Sequence, residues 1–178
     1  TTGLSGNYYR CVVTGTCTPP ATSNPALLTV NSSVTVTGNP SDQTICEGTG
    51  TSFTAAASGS GLIFQWEVST NGGSTWNNVV NNANYAGATT PTLTLTNVPP
   101  TFNNYRYRNN ITSPPCTPGI TTAATLTVNT FPVIISHPSN LTICEGANST
   151  FTVGATTGVG ALTYQWQFRQ TPASAWVN

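Results

Sequence analysis

The chain has 178 residues, and only 4% of them are charged, against roughly 25% in an average soluble domain. Four arginines (Arg10, Arg106, Arg108, Arg169), no lysine and four acidic residues (Asp42, Glu47, Glu67, Glu145) give zero net charge, which excludes a basic footprint for nucleic acid and a polybasic membrane patch. Apolar residues make up 37% in short alternating runs, far from the ~20 in a row that would insert in a membrane, and too many for the disordered class.

The chain begins in mid-pattern and reads as an internal or processed segment. Thr, Asn, Ser, Val and Gly dominate, so strands and turns are expected rather than helices. In chain order, Val34–Thr37 and Thr44–Cys46 predict a first strand broken around Gly38 and Pro40. Ser52-Phe53-Thr54-Ala55 begins a second. Leu62–Val68 is a third, with Phe64, Trp66 and Val68 on one side. Thr92–Thr96 alternates strictly, and Tyr105–Tyr107 and Thr125–Val128 continue the alternation. Turns are predicted at Asn71-Gly72-Gly73, Pro99-Pro100 and Pro114-Pro115.

A repeat of roughly 98 residues organises these elements. Pro40-Ser41-Asp42-Gln43-Thr44-Ile45-Cys46-Glu47-Gly48 recurs as Pro138-Ser139-Asn140-Leu141-Thr142-Ile143-Cys144-Glu145-Gly146. Phe53, Gln65-Trp66 and Trp76 recur as Phe151, Gln165-Trp166 and Trp176. Tyr9-Arg10 and Leu28–Asn31 recur as Tyr107-Arg108 and Leu126–Asn129. The expected division is the closing part of one repeat at 1–31, a whole repeat at 32–129, and the opening half of another at 130–178. An end piece lacks the strands that would complete its sandwich, so neither should fold alone.

These residues resemble an immunoglobulin-like domain. Cys46-Glu47-Gly48 followed by Phe53-Thr54-Ala55 resembles the passage from first to second strand. Gln65-Trp66 resembles the buried third-strand Trp, and Tyr9-Arg10-Cys11 the Tyr-x-Cys start of the sixth strand. The resemblance implies an all-β fold of tandem immunoglobulin-like β-sandwich repeats, one complete and two partial, with Trp66, Trp166, Tyr9 and Tyr107 in the cores. Ala55 and Asn109 stand where the family's inter-sheet cysteines would be, so that bond is missing from the whole repeat. More narrowly, the Thr-x-Cys-x-Gly start, the Tyr164-Gln165-Trp166 strand, the Ser69–Trp76 hairpin and the Tyr9–Val13 ending resemble repeats of giant Bacteroidetes surface proteins. Those include gliding and adhesion filaments exported by the type IX system, which implies an extracellular location.

Five cysteines fit structural disulfides better than a zinc pattern, since His137 is the one nitrogen ligand. Cys46 and Cys116 are the two in the whole repeat, yet the implied topology puts them at opposite ends. Cys11–Cys17 across a hairpin, or Cys46 (and by repetition Cys144) with the last hairpin of a neighbouring repeat, remain open. Ser69–Trp76 resembles an Asp-box hairpin, with Trp76 packed over its own turn. Arg106 and Arg108 share a strand face. With Trp76 and Tyr85 they are the residues that would meet a ligand or partner. Glu47 and Glu145 occur once per repeat, which is unlike the converging carboxylates of a catalytic pair. Without lysine, an isopeptide crosslink to Asn is impossible. Asn31, Asn110, Asn140 and Asn148 head Asn-x-Ser/Thr sequences.

The sequence therefore predicts a non-enzymatic spacer in an extracellular bacterial adhesin or filament, with no cofactor and with neighbouring repeats or other copies as partners. A module binding surface glycans and an accessory region of a secreted carbohydrate-active enzyme are the alternative readings.

Overall fold

The computed structural model describes residues 2–158 and 161–178. Short strand pairs open the chain: β1 (Tyr8–Tyr9) with β4 (Ala26–Leu27), and β2 (Val12–Val13) with β3 (Ala21–Thr22). The middle supplies β5 (Thr35–Gly38), β6 (Gln43–Cys46), β7 (Thr51–Thr54), β8 (Ala56–Ser58), β9 (Ile63–Ser69) and β10 (Asn77–Asn78). It continues with β11 (Tyr85–Ala86), β12 (Thr92–Leu95), β13 (Arg106–Ser113), β14 (Cys116–Ile120) and β15 (Ala124–Asn129). A last pair, β16 (Val133–Ser136) with β17 (Gly154–Thr156), follows.

Two sheets face each other in the middle of the chain. One runs β10-β9-β13-β15-β6, with β14 also on β13; the other runs β11-β12-β7, and β5 pairs with β8 beyond it. All these pairings are antiparallel except β15 with β6, which is parallel. The parallel step follows from the break between β5 and β6. Gly38, Asn39 and Pro40 let the chain leave one sheet and join the other. The Asn39 and Asp42 side chains then accept from the Thr122 and Thr125 N–H groups at 2.9 and 2.6 Å, satisfying backbone donors at that edge.

Alternation decides what is buried. Phe53 and Ala55 face Trp66, Tyr107, Leu126 and Val128 across the two sheets, with Leu93, Leu95 and Val98 closing the core. The Phe53 ring stacks on Tyr107 with centroids 4.8 Å apart. The Trp66 indole donates to the Thr90 carbonyl at 2.9 Å, so its one polar group is satisfied in the interior. The Tyr107 hydroxyl pairs with that of Tyr85 at 2.9 Å. Every residue buried among the described ones lies between Pro40 and Val128.

The flanks reuse the same registers. Adding 98 to Tyr8↔Leu27 and Tyr9↔Ala26 gives the observed Arg106↔Thr125 and Tyr107↔Ala124. Val12↔Thr22 and Val13↔Ala21 likewise map onto Asn110↔Ile120 and Ile111↔Gly119. Thr35↔Ser58, Val36↔Ala57 and Gly38↔Ala56 recur as Val133↔Thr156, Ile134↔Ala155 and Ser136↔Gly154, bulge included.

Two expectations are corrected. Tyr9 and Trp166, expected in cores, are 51% and 49% exposed, whereas Tyr107 and Trp66 are fully buried. The physical reason is an incomplete strand set: Phe151 and Trp166 keep the 6.5 Å ring spacing of Phe53 and Trp66, but residues 130–178 hold no counterparts of β12, β13 and β15, which enclose that pair in the middle of the chain. All five cysteines are free, so the Cys46–Cys116 bond is not formed. Cys46 pairs in register with Asn129 at one end of the sandwich, while Cys116 lies beside Asn31 at the other. The fold is all-β, with short 3-10 turns at Thr2–Leu4 and Pro100–Phe102 as the helical pieces among the described residues.

The buried phenols give the fold an alkaline limit. Burial first, then the charge interaction with Tyr85, pushes the Tyr107 phenol above its ordinary value; burial raises Tyr85 as well. The native state thus keeps a proton that the unfolded chain releases above about pH 10. Stability should therefore fall as pH rises past that point, by about 1.4 kcal/mol per pH unit for one proton. Urea midpoints between about pH 9 and 11.5 should show this slope, and Tyr107→Phe should flatten it.

Candidate functional site

The polar outer face of the larger sheet gathers most of the whole repeat's charge. Register places Arg108 of β13 directly opposite Glu67 of β9. The Arg108 Nε donates to the Glu67 carboxylate at 2.6 Å, with side chains 25% and 12% exposed. Asn110 Nδ2 donates to the other Glu67 oxygen at 3.3 Å. The guanidinium also lies 4.1 Å from the centre of the Trp76 ring. Trp76 in turn donates its indole N–H to the Gly73 carbonyl at 3.1 Å, closing the turn that Gly72 and Gly73 make with positive φ.

This arrangement spends the proposed ligand residues on the fold itself. Arg106 donates to the Gly72 carbonyl at 2.9 Å, pinning the same hairpin. Tyr85 stacks on Phe102 with centroids 5.4 Å apart and bonds Tyr107. Trp76, Arg106 and Arg108 come together; Tyr85 stands apart, packed against the core. Glu67 is the member that the sequence did not single out, because only the register of β9 against β13 sets it opposite Arg108. A related clamp caps Trp176, where Arg169 lies 4.4 Å above the ring. There the cation comes from the hairpin itself, not from a neighbouring strand.

Removing both ends of the ion pair tests its weight. Glu67→Ala, Arg108→Ala and the double variant should give a coupling of about 1–2 kcal/mol in urea unfolding. A coupling under about 0.3 kcal/mol would mean the pair behaves like an ordinary exposed one.

A second polar cluster occupies the joints. At one end of the sandwich, Asn31 Nδ2 donates to the Pro114 carbonyl at 3.0 Å, and the Cys116 thiol donates to the Asn31 carbonyl at 3.6 Å. Ser32 N–H and hydroxyl meet the Ser60 hydroxyl at 3.2 and 2.7 Å, and Ser113 bonds the Ser60 carbonyl. At the other end, the Glu47 carboxylate accepts from the Phe131 N–H at 2.9 Å, while Glu47 N–H donates to Asn129 at 2.8 Å. Thr130 then repeats the role of Ser32. Its hydroxyl meets Thr157 at 3.2 Å and accepts from the Gly158 N–H at 2.6 Å. Among the described residues no group of three or more His, Cys, Asp or Glu could hold a metal ion, and no helix is long and apolar enough to cross a membrane.

Two facing sheets, a buried third-strand Trp and a parallel first-to-last strand pairing define an immunoglobulin-like β-sandwich. A solved titin structure agrees on that fold. An I-band fragment of titin, I67–I69, superposes with a TM-score of 0.53 at 16% identity, covering 69% of this chain and 43% of that one. DIP-gamma IG1+IG2 gives 0.49 at 16% identity over 70% and 63%, and domains 3–5 of Drosophila OTK give 0.44 at 16% over 85% and 48%. The chain thus spans less than half the length of the titin and OTK chains it matches. No curated protein matches it. The family model described as "Domain of unknown function (DUF8696)" matches residues 35–130, and the chain belongs to that family.

Proposed function

We propose that the chain is a run of tandem sandwiches, divided at 1–31, 32–129 and 130–178, that serves as a non-enzymatic spacer and assembly unit in an extracellular bacterial surface adhesin or filament. The narrower reading, a Bacteroidetes protein of the type IX route, rests on the motif resemblance alone. The observation that carries the proposal is the reuse of strand registers at an offset of 98 residues on both sides of the complete sandwich. The family match over 35–130 supports the same division. A chain of such units sets distance, and the hydrogen bonds at both joints restrict swivel between neighbours. A neutral surface adds no long-range repulsion between packed copies and responds little to salt.

The partners on this reading are neighbouring repeats and other copies of the chain. A glycan-binding role is less favoured, because one face of Trp76 is already covered by Arg108. Small-angle scattering on chains carrying residues 32–129 once, twice and three times tests the spacer. Each added copy should lengthen the particle by the same increment, unchanged by salt. Tandem copies that merge into one rounded particle would sink the proposal.

A further inference from the structure

We propose that successive repeats are stapled by a disulfide between the start of one repeat and the last hairpin of the next. This rests on the tandem reading above. Four of the five cysteines fall into two positions, one at each end of the sandwich; Cys11, which aligns with Asn109, stands apart. Cys46 and Cys144 occupy the repeat start in both copies of it present here. Cys116 follows the turn between β13 and β14, and Cys17 lies in the matching hairpin between β2 and β3.

Both positions converge on one residue of the joint. Cys46 is the register partner of Asn129 in the parallel β15–β6 ladder, and its side chain is exposed. Paired strands stand ~4.8 Å apart. Asn31 is the counterpart of Asn129 one repeat earlier, and its carbonyl accepts from the Cys116 thiol at 3.6 Å. The last Asn of a repeat is therefore flanked by the start cysteine of its own repeat and by the hairpin cysteine of the following one. That brings two cysteines to the same joint, and the staple requires their Cα atoms to stand about 4.4–6.8 Å apart there. The Ser32–Ser60 contact just after the first joint recurs as Thr130–Thr157 just after the second, so the chain enters both repeats in a similar way.

On this account Cys46 and Cys144 pair with hairpin cysteines of the following repeat, and Cys17 and Cys116 with start cysteines of the preceding one, while Cys11 lies outside the staple. The partner of Cys46 belongs to the hairpin after Cys144, and the partner of Cys116 to the start before Tyr9. Bond formation is thiol–disulfide exchange with a disulfide-bearing oxidant outside the cell. Two thiols give up two protons and two electrons as the S–S bond forms, and the oxidant's disulfide becomes two thiols.

The 32–129 sandwich holds the whole core, so it can be used in tandem, with Asn129 of the first copy joined to Ser32 of the second as Asn31 is joined to Ser32. After dilute oxidation with glutathione disulfide, two of the four thiols should remain titratable in denaturant. Cys46→Ser in the first copy should abolish the bond, and Cys46→Ser in the second should leave it. A single copy should keep both thiols free. A Cys46–Cys116 bond in the single copy, or four free thiols in a tandem that unfolds as two intact sandwiches, overturns the staple while leaving the tandem reading standing. A tandem that forms no pair of sandwiches removes the tandem reading itself.

Discussion

Trp66→Ala should destabilise the chain by about 3–5 kcal/mol. Domains of this size hold about 5–15 kcal/mol in total, so the variant sits near the edge of unfolding, with a melting point roughly 15–30 °C lower. Trp66 is fully buried, packs on Phe53 with ring centres 6.5 Å apart, and bonds the Thr90 carbonyl. Its removal leaves a cavity between the sheets and an orphaned acceptor. Trp166→Ala, at the repeated position, should cost less than about 0.5 kcal/mol in this same chain, because Trp166 is half exposed. Urea midpoints of the two variants measure the contrast. Equal losses would mean that the last segment has a core of its own.

The opposite effect is expected from restoring the bond that the whole repeat lacks. Ala55 and Asn109 are both buried, on β7's continuation and on β13, at the positions where the immunoglobulin-like pattern places its inter-sheet cysteines. Asn109 is an awkward occupant. Its Nδ2 is buried without a hydrogen-bond partner, and its Oδ1 accepts only a 3.3 Å bond from the Gln65 N–H. Ala55→Cys with Asn109→Cys removes the unpaired amide and closes a loop of about 55 residues, which chain-entropy arguments value at about 4 kcal/mol. The oxidised double variant should unfold at a higher urea concentration than its own reduced form. Identical midpoints, with the bond confirmed by thiol titration, would show that the sheets sit too far apart there to gain from the link.

Much of the fold was legible because strands with strict alternation announce their buried face. Thr92–Leu95 and Ala124–Asn129 follow that rule, and the structure buries Leu93, Leu95, Leu126 and Val128 as the period requires. β10 and β11 escaped notice because each is two residues long, too short for any period, and is held by pairing with β9 and β12 rather than by its own composition. Tyr9 and Trp166 were misplaced for a different reason. Sequence identity with Tyr107 and Trp66 gives the direction of a side chain within its own sheet, but burial needs the full set of strands, of which residues 1–31 and 130–178 each hold only part.

The candidate site was harder to read than the fold. Alternation puts Arg106 and Arg108 on one face, yet says nothing of what stands opposite. Only the β9–β13 register reveals that Arg108 meets Glu67, and only the hairpin's return brings Trp76 under the guanidinium. Glu47 looked like a turn residue beside Gly48. Its carboxylate in fact holds the Phe131 N–H across the joint, a contact 84 positions away in sequence that no local pattern encodes.

Urea unfolding of residues 32–129 on their own tests the central claim most directly. One sharp transition, with a slope and midpoint close to those of all 178 residues, is the expected outcome, because the excised piece carries the entire interior. A broad, sloping loss of signal would show instead that the flanking stretches supply part of the core.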